Sequence, residues 1–323
     1  MADVLDLRQY RASQLDPLLT AEAAEWDHRL DWDYTASATL IRQYIEARIL
    51  PGYVLAERGR LRIRPYGYGF FIYEGVKGMI GNLYVEPAHR LPDFSAERLL
   101  LAHMVETLRS TPGLDRIESQ LMPYAPEALG SSFAEEGFDA FRRVFLNLDL
   151  KPSPPLPAAR GALSGLRIEP WGSASHEEAA RVILHAYEDH VDSRINDQYR
   201  TFAGALRFMH NVAHYPGCGM FDPNASFLAR SVAHGGLEGM VLASRVKPGV
   251  MHITQICVMP DFRGRGLGRV LIERALEQAR RMGLRSATLT VTKQNSGALG
   301  LYQRLGFRER CEFDAYVWRR RAA

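Results

Sequence analysis

Cysteine is scarce in this sequence: there are three among 323 residues, widely separated at Cys218, Cys257 and Cys311. An odd number of widely spaced cysteines fits neither a disulfide framework nor the paired spacing of a zinc site. We therefore expect no metal and a location in the reducing cytoplasm.

Four histidines have helical spacing without paired carboxylates, which predicts surface or packing roles for His185, His190, His210 and His214.

Long hydrophobic runs are also missing. No stretch of about 18 apolar residues occurs, and the first residues, MADVLDLRQYRAS, lack the apolar core of a secretory signal. Lys and Arg number 40 against 37 Asp and Glu, and the net charge of +3 comes mainly from scattered arginines, with no long basic tract. We expect a soluble protein, monomer or homodimer, that binds neither a membrane nor a nucleic acid.

Apolar periodicity lapses in one stretch, KPSPPLPAARGALSG, which holds four prolines and several small residues. Such a composition predicts an extended linker. A linker over residues 151–165 leaves two domains, 1–150 and 166–323, each close to the common domain size of about 150 residues. The hydrophobic content of 46% suffices for a buried core in each domain.

The two domains share one order of elements. Each has a strand, a loop, an apolar-periodic helix, a second strand, a short helix, a Gly-Phe pair and a last strand. From Pro87 to Gly137 in the first domain is 50 residues, and from Pro260 to Gly306 in the second is 46. This agreement predicts two copies of one α/β unit.

The loop before the long helix distinguishes the copies. Glycine is absent between Gly81 and Gly113 in the first, whereas PDFRGRGLGRV in the second has glycines at every second position from 264 to 268. Alternating glycines let main-chain N–H groups point into one concavity, and a helix that begins at Leu267 adds the positive end of its dipole. This loop predicts a phosphate site. Its spacing fits neither a P-loop nor a dinucleotide fingerprint, and a plain glycine-rich turn is the alternative.

Two segments, VMPDFRGRGLG and NSGALGLYQRLGF, resemble signatures of the GNAT N-acetyltransferase superfamily. The first is similar to the family's Arg/Gln-x-x-Gly-x-Gly loop, here Arg263 to Gly268, which holds the pyrophosphate of CoA. The second is similar to the family's segment with a motif asparagine and tyrosine, here Asn295 and Tyr302. The resemblance covers 166–319 well and 4–150 through element order alone. It implies a tandem arrangement similar to that of mycothiol synthase.

The resemblance also implies the fold of each unit: α/β (α+β), with a mixed, mostly antiparallel sheet splayed between its fourth and fifth strands and flanked by helices. Residues 1–150 are then a degenerate GNAT-like domain that lacks the pyrophosphate loop, and 166–323 are the acetyltransferase domain. Within the second domain we predict a last strand over 310–318 and helices over 176–192, 199–215, 267–282 and 297–305.

The implied activity is transfer of an acetyl group from acetyl-CoA, a co-substrate, to a primary amine of a small molecule or peptide. The main-chain N–H of Val258 is the expected partner of the thioester carbonyl, although Ile256 and Val258 also fit a simple core strand. We expect CoA to contact the strand end, the loop and the second motif, at Ile256, Cys257, Val258, Arg263, Gly264, Arg265, Gly266, Leu267, Gly268, Arg269, Asn295 and Tyr302.

Tyr302 matches the family's catalytic tyrosine position, so the resemblance makes it the expected acid, and a phenol with a pKa of about 10 protonates a thiolate while staying neutral near pH 7. Packing on a short helix is the alternative. The sequence indicates the catalytic base less clearly than the acid. Ribosomal-protein acetyltransferases have a glutamate five residues before the motif asparagine, but this chain has Thr290 there. His252, eleven residues before Arg263, stands where the similar serotonin N-acetyltransferase has a histidine, so the resemblance makes it the expected base, with an ordinary pKa of about 6.5. The alternative is a solvent or core histidine at a strand start. Thr290 keeps a second interpretation open, a non-catalytic acyl-CoA binding or sensing protein.

Overall fold

A computed structural model describes five ranges of the chain, 3–58, 63–150, 164–172, 176–215 and 217–320. The predicted linker over 151–165 lies outside the described residues except for Ser164 and Gly165. Contacts divide the chain into two compact units, one of Met1–Arg143 with Cys311–Ala323 and the other of Val144–Arg310. No helix in the described ranges is long and apolar enough to cross a lipid bilayer.

Within its described residues, the first unit contains five complete strands and four helices. They are β1 (Asp3–Asp6), α1 (Ala12–Leu30), α2 (Thr35–Glu46), β2 (Gly52–Arg58), β3 (Ile63–Glu74), β4 (Lys77–Val85), α3 (Ser95–Ser110), β5 (Arg116–Gln120) and α4 (Pro126–Glu135).

The other described residues supply eight strands and five helices. They are β6 (Asp139–Asp149), β7 (Leu166–Pro170), α5 (His176–Ala186), α6 (Val191–Ile195), α7 (Phe202–His214), β8 (Met220–Phe221), β9 (Phe227–Ser231), β10 (Leu237–Lys247), β11 (Val250–Val258), α8 (Leu267–Arg281), β12 (Ser286–Thr292), α9 (Ser296–Arg304) and β13 (Arg308–Arg319).

Each unit is built on a mixed, mostly antiparallel sheet. The order is β1-β2-β3-β4-β5-β13 in the first unit and β6-β12-β11-β10-β9-β7 in the second, with β8 beside β10. The β4–β5 and β11–β12 pairs are parallel, whereas the hairpins around them are antiparallel. The predicted fold class, α/β (α+β) with two GNAT-like units, is confirmed.

Both sheets splay between their fourth and fifth strands. β11 pairs with β12 from Val250 to Ile253, and the pairing then stops. A β-bulge lies at the same point, because Leu242 pairs with Gln255 while the next residue of β10 pairs with Ile253. A bulge adds twist and turns the strand away from its neighbour. We call the gap beyond Ile253 on β11 and Leu289 on β12 the β11–β12 opening, and the equivalent gap beyond Ile80 on β4 the β4–β5 opening.

The units differ from the predicted division, 1–150 and 166–323, at two strands. Val144 to Asp149 of β6 belong to the second unit, where Leu146 and Leu148 enter its core. Most of β13, predicted as the second unit's last strand, pairs with β5 of the first, with Ala315 opposite Gln120. Equivalent last strands occur in both copies of a repeat, so either can fill the same place in either sheet. The sequence period does not distinguish these pairings.

A second correction concerns the helix predicted over 176–192. α5 ends at Ala186, and Asp189 has a left-handed φ of 56°. The chain resumes as α6, whose first N–H groups are capped by His190, with Nδ1 3.1 Å from the N–H of Asp192. Aspartate visits the left-handed region more readily than most residues, so the break is tolerated there. It takes residues 187–190 out of the predicted helix, and Val191 and Asp192 begin α6.

Candidate functional site

The loop between β11 and α8 has the backbone of an anion site. Gly264 and Gly266 have left-handed φ values of 72° and 84°, and Gly266 is the N-cap of α8. Val270 donates the first hydrogen bond of the helix to the Gly266 carbonyl, at 3.1 Å. The N–H groups of the three residues between them therefore project from the helix end. These groups and the helix dipole fit a phosphate or pyrophosphate.

Gly268 differs from the two glycines before it. It lies in the first turn of α8, without a positive φ, and a Cβ built there would be 3.7 Å from Cγ2 of Val258, an ordinary contact. The left-handed conformation therefore favours glycine at 264 and 266 but not at 268.

Arg263 is turned toward the protein. Its Nε donates to the carbonyl of Val258 at 3.4 Å, and its Nη2 donates to the carbonyl of Ala186. The first unit repeats this contact, since Nε of Arg90 donates to the carbonyl of Val85 at 2.9 Å. In both units an arginine five residues after the fourth strand thus ties back to the strand end. Arg265 instead lies over the ring of Phe262, 5.5 Å from its centre.

The end of β11 presents amides to the β11–β12 opening. The N–H of Ile256 donates to Oε1 of Gln255 at 3.2 Å, and the same oxygen accepts from the hydroxyl of Tyr187 at 2.8 Å. Because N–H directions alternate along a strand, the N–H of Val258 lies on the same side as that of Ile256. This arrangement fits an extended chain with amide and carbonyl groups, such as the pantetheine arm of CoA.

Tyr302 lies in the core on α9, 6% exposed, with its ring centre 6.1 Å from that of Phe307. Asn295 is the N-cap of α9, with Oδ1 accepting from the N–H of Ala298 at 3.2 Å. The motif asparagine therefore sets the start of the helix that carries the tyrosine.

A half-buried tyrosine, Tyr187, links these elements. Burial raises the pKa of the Tyr187 phenol well above its usual range, and four neighbouring groups add smaller effects, Cys257, Tyr199, Asp192 and Tyr302. Burial also raises the pKa of the Cys257 thiol. That thiol stays protonated at neutral pH and is a poor nucleophile.

His252 does not have the environment expected of a base. It is 6% exposed, lies in the paired part of β11 opposite Thr288, and stacks on Phe145 at 5.9 Å. Its Nδ1 is 2.9 Å from the Thr288 hydroxyl. Burial lowers the pKa of the imidazole to about 3. The expectation of an ordinary pKa, and so of a base titrating near pH 6 to 7, was wrong, because a strand interior strips water from the charged form.

The break after α5 places three side chains across the β11–β12 opening. Tyr187 bonds to Gln255 on β11, Thr292 at the end of β12 donates to Asp192, and His190 contacts Asn295. Sequence reasoning missed this group, because the predicted helix ran through 192 and His190 was assigned an ordinary role. The signal was present, since apolar periodicity ends in YEDHVDSR. Within the described residues no group of three or more His, Cys, Asp or Glu side chains could hold a metal ion.

The β4–β5 opening of the first unit is closed by its own side chains. Asn82 accepts from the N–H of Leu83 at 2.8 Å, as Gln255 does from Ile256. Its Nδ2 also donates to Glu22 of α1 at 2.5 Å, and Tyr68 donates to the same carboxyl group. Glu22 is 1% exposed.

The long helix of the first unit also lacks the anion site. Its N-cap is Phe94, with a φ of 52°, and Oδ1 of Asp93 accepts from the N–H of Ser95 at 3.1 Å. A carboxylate therefore already occupies the helix end. The cavity beside it is lined by Glu135 and Glu136 as well, and Arg98 pairs with Glu135 at 3.2 Å. Carboxylates at this position repel phosphate.

Glu22→Gln is expected to remove a fall in stability between about pH 4.5 and pH 7. Burial raises the pKa of the Glu22 carboxyl from 4.5 to about 7, although hydrogen bonds from Tyr68, Asn82 and Trp26 partly oppose the shift. The folded protein then keeps this proton where the unfolded chain has lost it, so the stabilisation is present at low pH and lost as the pH rises through the folded value.

The loss corresponds to about 3 kcal/mol of unfolding free energy, at 1.36 kcal/mol per pKa unit. Urea unfolding of the wild type and Glu22→Gln at about pH 4.5 and pH 7.5 measures it. The wild type should lose about that much relative to the variant. An equal pH dependence in the two proteins would mean that Glu22 is ionised in the folded state.

A model described as the acetyltransferase (GNAT) family matches residues 187–307. Among curated proteins, the chain is 49% identical over 61 residues to an uncharacterized N-acetyltransferase of Methanocaldococcus jannaschii, which is 19% of this chain and 27% of that protein. It is 38% identical over 89 residues to a mycothiol acetyltransferase of Mycobacteroides abscessus, 27% of this chain and 30% of that protein. The matches thus span less than a third of either relative.

Among solved structures, a tandem GNAT protein from the clavulanic acid biosynthesis pathway superposes with a TM-score of 0.61 at 17% identity. The match covers 100% of both chains. At 17% identity the similarity shows only a shared fold, and that fold includes the tandem arrangement of two units.

Proposed function

Because the chain belongs to the GNAT acetyltransferase family and has two GNAT-like units in tandem, we propose that it is an N-acetyltransferase that uses acetyl-CoA. The acceptor in this proposal is a primary amine of a small molecule or peptide, and the second unit carries the chemistry. One observation carries the assignment to the second unit. Left-handed Gly264 and Gly266 precede the helix start there, whereas in the first unit the Asp93 carboxylate accepts from the N–H of Ser95 at the start of the equivalent helix.

The donor would lie along the end of β11 and the loop. The N–H groups of residues 264–269 and the start of α8 suit the pyrophosphate, and the amides of Ile256 and Val258 suit the pantetheine arm. Bound acetyl-CoA supplies an activated acyl group. The N–H of Val258 is our candidate for the donor to the carbonyl oxygen on which charge develops.

Tyr302 is the proposed acid. The neutral amine nitrogen forms a bond to the acetyl carbon and the carbon–sulfur bond breaks. The departing thiolate takes the phenol proton, and the proton that the nitrogen loses on becoming an amide restores the phenol. The core position of Tyr302 on a helix capped by Asn295 supports this role, because packing and the cap hold the residue in place. His252 is not proposed as the base, since its pKa of about 3 makes it a weak proton acceptor.

The first unit is proposed to have a structural or acceptor-shaping role. Its closed opening and its carboxylate-capped helix support a loss of donor binding. The names of the similar proteins, N-acetyltransferase and mycothiol acetyltransferase, support an amine as the acceptor class.

The test is release of free CoA from acetyl-CoA in the presence of a panel of amines, with the acetylated product identified by mass spectrometry. We expect amine-dependent release with equal amounts of thiol and amide. Tight CoA binding without acetyl transfer to any amine would favour the second interpretation, a non-catalytic acyl-CoA binding protein.

A further inference from the structure

Gln255 holds its side-chain amide in one orientation near the end of β11. Its Oε1 accepts from the N–H of Ile256 at 3.2 Å and from the hydroxyl of Tyr187 at 2.8 Å. The N–H of Ile256 can only donate, so the oxygen must face it and the NH2 group must point elsewhere. Nε2 is buried without a hydrogen-bond partner among the described residues, and Gln255 is 5% exposed. A buried donor without a partner is destabilising, because it has lost water and gained nothing.

The first unit shows what an amide at this position binds. Asn82 is the equivalent of Gln255, since each follows the β-bulge of its hairpin and lies three residues before the end of its strand. Oδ1 of Asn82 likewise accepts from the next N–H of the strand, and Nδ2 donates to Oε1 of Glu22 at 2.5 Å. The amide nitrogen of the first unit thus has a carboxyl oxygen of the chain itself as its partner.

The second unit has an apolar side chain where the first has a hydrogen-bonding one. Tyr68, which also donates to Glu22, pairs with Tyr84 of β4. The matching position, opposite Cys257 of β11, is Met240. Met240 is fully buried in the core that includes α5. Within the described residues, the second unit therefore keeps the amide and lacks the oxygen that accepts from it.

The amide lies on the α5 side of β11. Beyond the bulge side chains alternate along the strand, so Gln255 shares a face with Cys257, which lies in the core with α5. Ile256 and Val258, on the other face, pack against the core that contains α8. The glycine loop precedes α8, whereas Tyr187 directly follows α5. An oxygen that reaches Nε2 from the α5 side therefore fits the second substrate better than CoA.

A neutral oxygen suits this place better than a charged one. In the first unit, burial raises the pKa of the Glu22 carboxyl to about 7 against the hydrogen bonds of three side chains. The equivalent place in the second unit is more apolar at Met240. Moving a charge out of water costs far more than moving a carbonyl group that gains a hydrogen bond. We therefore expect a neutral carbonyl oxygen as the partner of Nε2.

We propose that Nε2 of Gln255 donates to an amide carbonyl of the acceptor. The substrate class is then a primary amine that also carries a carboxamide, such as an amino-acid amide or the N-terminus of a peptide, rather than a plain alkylamine. Gln255 selects the acceptor by binding it and takes no part in bond making. The identity of the ligand as an acceptor rests on the proposed acetyltransferase function, whereas the hydrogen bond to a carbonyl ligand does not.

Two amines of similar shape test the proposal. They are glycinamide and isobutylamine, in which two methyl groups replace the carbonyl oxygen and the amide nitrogen. Gln255→Glu keeps an oxygen for Ile256 and Tyr187 and replaces the NH2 group by a second oxygen, and Gln255→Met is the second variant should the first not fold. The matched control is Thr254→Val, which removes a hydroxyl from the neighbouring residue, where it bonds to Ser244 at 2.9 Å.

Binding is measured on the isotope-labelled full chain saturated with CoA, through the side-chain amide signals in NMR spectra. The signal pair that either Gln255 variant lacks identifies Gln255. We expect glycinamide to shift this pair and isobutylamine to leave it in place. The glycinamide dissociation constant should rise about 10-fold in Gln255→Glu, as for loss of one hydrogen bond, and stay within about threefold in Thr254→Val.

A Gln255 signal that glycinamide does not move at tens of millimolar would overturn the proposal. So would weaker CoA binding in Gln255→Glu with unchanged glycinamide binding, because the partner of the amide would then be CoA.

Kinetics separate the proposal from the function on which it rests. For glycinamide, kcat/KM should fall about 10-fold in Gln255→Glu, whereas isobutylamine should be used at least as well as by the wild type. Equal losses for both amines would overturn the proposal. A wild type whose Gln255 signal responds to glycinamide but which transfers no acetyl group would contradict the acetyltransferase function and leave the carbonyl site in place.

Discussion

Tyr302→Phe is expected to lower kcat by about 100-fold or more while the affinity for acetyl-CoA stays unchanged. The substitution removes one hydroxyl and keeps the ring that packs beside Phe307 in the core. The departing thiolate then lacks its proton donor, whereas the contacts of the pyrophosphate and pantetheine are untouched. Steady-state kinetics and calorimetry with acetyl-CoA measure the two effects separately.

Tyr199→Phe is the matched control. Tyr199 is another buried tyrosine of the same unit, and its ring stacks on Tyr187 at 4.4 Å. We expect this variant to keep kcat within about threefold, because its hydroxyl is not assigned to the reaction. A Tyr302→Phe enzyme with normal kcat would mean that another group or water protonates the thiolate.

Gly266→Val is expected to weaken acetyl-CoA binding by about 100-fold. Gly266 caps α8 with a φ of 84°, a conformation that costs a β-branched residue about 1–3 kcal/mol. Valine therefore shifts the loop toward backbone angles that turn its N–H groups away from the anion, and the strain appears as lost affinity. Calorimetric titration with CoA measures the change.

The control for backbone strain lies at the other end of the same helix. Gly283 has a φ of 72° with open space around a built Cβ, so Gly283→Val carries a similar strain far from the loop. Both variants should lose stability, but Gly283→Val should bind CoA normally. Equal CoA affinities in the two variants would mean that the loop is a simple turn without a role in CoA binding.

Much of the donor site could be predicted from sequence because it is local. The helix start at Leu267, the glycine loop before it and the Asn295 cap all depend on residues within a few positions of each other. The splayed sheet followed from the resemblance. The sequence did not show which glycines need a left-handed backbone. Gly268 follows the same alternation as Gly266, but it lies inside the helix.

The acceptor side depends on contacts distant in sequence, and there prediction failed. Asp192 and Thr292 are brought together across 100 positions, which no local pattern reveals. His252 was assigned as a base by position, whereas its burial against Phe145 sets its pKa. The placing of β13 in the first sheet likewise depends on which of two equivalent strands fills an edge.

The number of CoA molecules bound by one chain tests the central claim most directly. Native mass spectrometry of the full chain with increasing CoA counts them, and Gly266→Val identifies the unit responsible. We expect one CoA per chain at saturation and none with Gly266→Val at the same concentration, because only the second unit, within the described residues, has a glycine loop before an uncapped helix end. Two saturable CoA molecules per chain, or one that Gly266→Val retains, would contradict the assignment of donor binding to the second unit.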